Sequence, residues 1–291
     1  MFKLLSVLCL LGLMIISTGE TYAQSKKKVR YKVAVIDLML LKRQKLGAFP
    51  LAKEVGADGV EVDLGGLGNR PTFDNKLLID SVREQFLSKA REFGLEIPSL
   101  AMTGYYAQSF CQREPFIQSI EDAIRTMKLM KVKTAFLPLG VQCDLVKRPE
   151  LRDSVISRLK IAGRMAKKAG VVIGIETPLS AAEQVQLLKD VGSPAIKIYF
   201  NFSDALGAGR DLYSELKTLG RKNICMIHCT NKDGVWLQND PQIDLKKVKQ
   251  VLDEMKWSGW LVIERSRDAS QPTNVRANFS ANTAYVKSIF Q

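Results

Sequence analysis

From Val33 to the end of the chain, short runs rich in β-branched residues alternate with amphipathic segments, and this rhythm restricts the fold more than any other feature. Strands separated by helices cannot pair as tight hairpins. They pair in parallel, each crossover laying its helix over the sheet. The runs lie at 33–36, 59–64, 97–101, 134–138, 171–176, 196–201, 224–229 and 260–264. Eight strands, each with a following helix, predict a single α/β domain, a closed (β/α)8 TIM barrel. The chain of 291 residues, 46% of them apolar, is long enough for one large core of that kind.

The helices carry start and stop signals as well as periodicity. Between 150 and 169, Val155, Leu159, Ala162 and Ala166 recur at helical spacing, Pro149 stands near the start, and Gly170 follows Lys167 and Lys168 as a C-terminal cap. Connections from helix to strand are short, whereas those from strand to helix, such as 65–75 and 102–115, are long. A barrel builds its active site from the loops that follow its strands, so function is expected there. A doubly wound open sheet is the competing fold. It would usually place a glycine-rich phosphate turn after its first strand, where this chain reads Asp37-Leu38-Met39-Leu40.

The first 23 residues read as an export signal: Lys3, an apolar run from Leu4 to Ile16, and Thr21-Tyr22-Ala23 as a small-x-small cleavage site before Gln24. The expectation is an exported, probable periplasmic protein, with residues 24–291 as the barrel domain and no stable membrane insertion. Lys3 and Glu20 cancel, so the formal net charge of +13 belongs to the mature chain, where a solvated Lys/Arg coat is the simplest reading. The cysteines outside the leader, Cys111, Cys143, Cys225 and Cys229, contain no C-x-x-C pair, which disfavours a cysteine-rich zinc site. In so large a domain they are expected as buried free thiols rather than bridges.

Three strands place a metal-type side chain near their C-terminal end: Glu176 after Ile175, His228 after Ile227, and Glu264 after Ile263. Because side chains alternate, the isoleucines should face the helices and the polar residues the barrel mouth. Carboxylates there need a partner, and a divalent cation held by two glutamates and one imidazole supplies it; pairing with Lys or Arg is the competing explanation. Such a donor set suits Mn, Co, Zn or Mg without choosing among them. Val60-Glu61-Val62-Asp63 turns both acids inward by the same alternation, making Glu61 and Asp63 candidates for substrate binding. Arg265 and Arg267, with Asp268, either orient a polar substrate or form a surface salt-bridge cluster. Tyr105, Tyr106 and Phe110 either stack on a sugar or form a local core.

These stretches resemble the xylose-isomerase-like superfamily of sugar epimerases, inosose dehydratases and endonuclease IV type repair enzymes. The likeness is carried by Gly56-Ala57-Asp58-Gly59-Val60-Glu61, Gly174-Ile175-Glu176, Ile227-His228 and Gly259-Trp260-Leu261-Val262-Ile263-Glu264. It implies a metal held by Glu, Asp, His and Glu on successive strands, with the two glutamates placed to move protons. Here Glu176, His228 and Glu264 match and Asn201 stands at the aspartate position, so the site loses one negative charge and weaker or more selective binding is expected. Asp204 stands where the family often has His or Asn, as a compensating or substrate-binding group. Beyond His228 the chain reads Cys229-Thr230-Asn231, where a His-x-Lys-Asp run is common in the family.

The resemblance implies a metal-polarised carbonyl and a carboxylate that removes the neighbouring proton. Returning the proton isomerises or epimerises a sugar; expelling a β-substituent makes the protein a lyase or hydratase on a 3-keto-glycoside. A carbohydrate-binding barrel that has lost catalysis is the third possibility, raised by Asn201. A single histidine cannot build the histidine-rich three-zinc site of the repair enzymes, so a nucleic-acid substrate is not expected. The expected partner is a small carbohydrate, with homo-oligomer formation left open.

Overall fold

The computed structural model describes residues 30–291, so the leader, its cleavage site and the start of the mature domain lie outside it. The elements run β1 (Tyr31–Ile36), α1 (Asp37–Leu41), α2 (Ala48–Glu54), β2 (Gly59–Asp63), α3 (Asp80–Phe93), β3 (Ser99–Ala101), α4 (Phe116–Met130), β4 (Thr134–Pro138) and α5 (Arg152–Ala169). They continue with β5 (Val172–Glu176), α6 (Ala181–Val191), β6 (Ile196–Asn201), α7 (Phe202–Gly207), α8 (Leu212–Leu219), β7 (Ile224–His228), α9 (Leu245–Glu254), β8 (Gly259–Ile263) and α10 (Val275–Phe290). The strands close in chain order into one parallel barrel, with β1 pairing β8 from Tyr31 opposite Gly259 to Val35 opposite Ile263.

Strand edges moved by a residue or two from their expected places, for local reasons. β3 begins at Ser99 because Pro98 has no N–H for the ladder. Glu264 is the first residue past β8 rather than its last. The eight expected helices became ten α-helices among the described residues, since the segments after β1 and β6 each break into two short helices. α5 ends at Gly170 in the left-handed conformation, as its sequence predicts. α6 opens with a capping box in which Ser180 and Glu183 satisfy each other's backbone N–H.

Alternation divides the apolar residues into two cores. Val33, Val35, Val60, Val62, Ile175, Ile227 and Ile263 face the helices in a large outer layer. Ala34, Ile36, Ala101, Phe136, Tyr199, Met226 and Val262 fill the interior. Gly174 makes room for that filling. A Cβ there would stand 2.5 Å from Cys225 Sγ and 3.1 Å from the Tyr199 side chain, so the Tyr199 ring lies where another residue type would push it out.

The expectation of free thiols is half corrected. Cys225 and Cys229 are free, but Cys111 and Cys143 form a disulfide across 32 residues. It joins the loop after β3 to the loop after β4, two segments that adjacent strands deliver side by side and whose proximity no sequence spacing records. Replacing both cysteines with serine is expected to lower unfolding stability by about 3 kcal/mol. Denaturant midpoints with and without a reductant check this; no difference between them would show that the bridge contributes nothing.

Candidate functional site

Glu176, Asn201 and His228 close β5, β6 and β7, and Glu264 follows β8, so the backbone brings all four to one end of the barrel. Their outward neighbours are packed in the helix-facing core, which fixes the polar side chains inward. His228 is completely buried and sits at the centre. Its Nδ1 lies 2.9 Å from Glu176 Oε2 and 3.9 Å from Glu264 Oε2, and its Nε2 lies 3.4 Å from Glu61 Oε1. The ring is clamped by Tyr199 and Phe136, with centroids 4.5 and 4.8 Å away.

Glu61 approaches from beneath. It is fully buried, and its Oε2 accepts hydrogen bonds of 2.6 Å from both Ser99 Oγ and the Tyr199 hydroxyl. The structure therefore joins it to the cluster through His228. Asp63 goes elsewhere: it accepts from the Gly65 N–H at 2.6 Å and from the Thr103 hydroxyl, and it pairs with Arg43 at 2.9 Å. Buried Asp37 joins it by accepting from the Asp63 N–H at 3.0 Å. This second carboxylate pair ties together the loops after β1, β2 and β3.

Arg265 and Arg267 both pair with Asp233, at 3.3 and 2.6 Å, forming the surface cluster that was one of their two readings. Asp268 instead accepts from Ser270. The aromatic triplet divides. Tyr105 and Phe110 are buried against each other, centroids 5.5 Å apart, as a local core. Tyr106 turns the other way and places its hydroxyl 3.3 Å from Glu264 Oε1. Adjacent tyrosines in a tight 3-10 turn point in different directions, and that turn was not visible in the sequence. Tyr199 and Ser99, which hold Glu61, were also missed; alternation back from Asn201 was the signal available for Tyr199, and Ser99 on β3 had no such neighbour to mark it.

Crowded carboxylates shift one another. Burial and the charges of Glu176 and Glu264 push Asp204 up to about 8. Burial raises Glu264, with His228 opposing it. For His228, burial favours the neutral ring, but the charge of Glu264 and the hydrogen bonds to Glu176 and Glu61 win and hold its pKa well above the usual value.

The donors Glu176, His228 and Glu264 converge, and two carboxylates with an imidazole are the right chemistry for a divalent cation. Glu176 is hydrogen-bonded to His228 while Glu264 stands 3.9 Å from the same nitrogen, and no preformed metal cluster of three His, Cys, Asp or Glu side chains exists among the described residues. Three of the four expected ligands thus carry donor types suited to a cation without being arranged around one. Asn201 does not present its oxygen to the site: that atom accepts from Ser203 N–H and Oγ, both at 2.9 Å, while Nδ2 donates to Glu176 Oε2 at 2.9 Å.

Known proteins share this architecture. A family model described as xylose isomerase-like TIM barrel matches residues 49–285. A 2-epi-5-epi-valiolone 7-phosphate 2-epimerase from Actinoplanes sp. is 26% identical over 174 residues, which span 56% of this chain and 59% of that protein. Among solved structures, D-psicose 3-epimerase from Clostridium cellulolyticum H10 has a TM-score of 0.72 at 12% identity, covering 89% of this chain and 99% of that one. A 3-keto-D-glucoside 4-epimerase from E. coli has a TM-score of 0.70 at 18% identity, with the same coverage of 89% and 99%. At these identities the structural likeness speaks for the fold.

Because the folded protein holds the Asp204 proton up to about pH 8, that proton stabilises the fold fully below the ordinary carboxylate value and progressively less as pH rises to that point. Asp204→Asn, which cannot ionise, is therefore expected to raise the melting temperature of the metal-free protein at pH 8 and to match wild type at pH 4. Equal shifts at both pH values would contradict the electrostatic cause.

Proposed function

Since the chain belongs to the xylose isomerase-like TIM barrel family, we propose that it is a divalent-metal-dependent isomerase or epimerase of a small free carbohydrate, working by removal of a proton beside a carbonyl. The observation that carries this reading is the pair of glutamates, Glu176 and Glu264, both directed at Nδ1 of one buried imidazole at the strand C-terminal mouth. Glu176, His228 and Glu264 would hold the cation, which when bound would supply a Lewis acid to acidify the carbon beside a carbonyl.

The side chains divide the remaining work. Glu264 is one of two carboxylates placed to act as base, and burial raises its pKa. Tyr106 steadies one of its oxygens by hydrogen bonding and walls one side of the mouth. Glu176 reaches the same imidazole nitrogen from β5, and inversion at carbon requires that it serve the substrate face opposite to the one Glu264 serves. Two carboxylates in these positions support epimerisation when they serve opposite faces and isomerisation when one of them serves both carbons. Export to the periplasm, read from the leader, fits a free sugar better than a phosphorylated one.

A second reading follows from the likeness to a 3-keto-D-glucoside 4-epimerase, whose substrate carries the carbonyl needed for the same first step. If this chain takes such a glycoside, abstraction beside the ketone followed by departure of the aglycone makes it a lyase.

The test is solvent deuterium uptake, followed by mass spectrometry, into free ketohexoses and 3-keto-glucosides incubated with the mature protein and Mn2+. Exchange is expected, and Glu264→Gln should slow it at least about 100-fold. Appearance of free aglycone selects the lyase. Absence of exchange from both substrate panels would leave a carbohydrate-binding barrel.

A further inference from the structure

The amide of Asn201 has one orientation compatible with its neighbours. A backbone N–H only donates, so the atom 2.9 Å from the Ser203 nitrogen is the amide oxygen, and it also accepts from the Ser203 hydroxyl. The amide nitrogen is then directed at Glu176 Oε2, 2.9 Å away. Flipping the group would set N–H2 against the Ser203 N–H, remove the cap of α7, and leave a donor facing a donor. Aspartate here would cap the same helix with one oxygen and offer the other to the site. Asparagine offers hydrogens, which repel a cation at that position.

We propose that residue 201 governs cation affinity in this barrel: Asn201 is a positioning donor that holds Glu176 and is not a ligand, so a bound cation rests on Glu176, His228 and Glu264 alone. The inference rests on the proposed function only in taking those three residues as the ligand set. Two consequences follow from the chemistry. The site binds divalent cations weakly and exchangeably, having two carboxylates where aspartate at residue 201 would give three. It also leaves more coordination positions to water and to substrate oxygens than a four-ligand site does.

Titration calorimetry with Mn2+ and with Zn2+, on the mature protein stripped by chelator, tests the assignment in wild type, Asn201→Asp and Asn201→Ser. Both replacements keep a capping oxygen, so α7 retains its start. Asn201→Asp is expected to lower Kd at least about tenfold for both ions, and Asn201→Ser, which loses the donor to Glu176, to raise it about tenfold. A crystal structure of the Mn2+-loaded wild type in which Asn201 Oδ1 contacts the ion would show that the amide oxygen is a ligand, and would overturn the proposal. So would an Asn201→Asp protein that binds no more tightly than wild type, including the case in which neither binds.

The outcome separates from that of the sugar-isomerase reading. Tight binding by Asn201→Asp with no deuterium exchange by any variant would sink that reading and support this inference. Exchange by wild type with unchanged affinity in Asn201→Asp would do the reverse.

Discussion

The buried imidazole of His228, held between Glu61 on one nitrogen and Glu176 and Glu264 on the other, is the interaction around which the barrel interior is arranged. Carboxylates removed from water are tolerated only where hydrogen bonds and opposite charge repay their lost hydration. Each neighbour contributes to that compensation. Ser99 and Tyr199 satisfy the far oxygen of Glu61, Asn201 donates to Glu176, and Tyr106 donates to Glu264. Gly174 belongs to the same arrangement, because only a missing side chain on β5 lets the Tyr199 ring cross the interior toward Glu61.

The barrel itself was readable because two periods dominate it. A period of two in the strands fixes which residues face inward, and it is indifferent to long-range contacts; Glu176, His228 and Glu61 were placed by counting alone. Helix caps such as Gly170 are local as well. What escaped the sequence lies in the loops. The turn at Tyr105 and Tyr106, the bridge from Cys111 to Cys143 and the division of the helix after β6 depend on what neighbouring strands bring alongside, and spacing along the chain carries no record of that.

The site shows the same boundary at the level of single atoms. Sequence placed Asn201 at a ligand position, but the choice between its oxygen and its nitrogen belongs to Ser203, which faces the amide from the first turn of α7. Alternation put Asp63 inside the barrel correctly. It could not reveal that Arg43, Thr103 and the Gly65 N–H would engage both its oxygens and so tie three loops together. Inward direction is a property of a strand, whereas partnership is a property of the whole fold.

The loop after β3 combines a covalent anchor with a buried one. The disulfide fixes Cys111, and the rings of Tyr105 and Phe110 are sunk in their own small core, so the segment between them is released from packing duty. Ala107 is exposed there and Gln108 only partly covered. This stretch of rim beside Tyr106 is thus free to change its lettering without disturbing the acids beneath it. A barrel built in this way sets a locked interior, where the acids sit at strand ends, apart from a tethered edge whose sequence drift can rewrite.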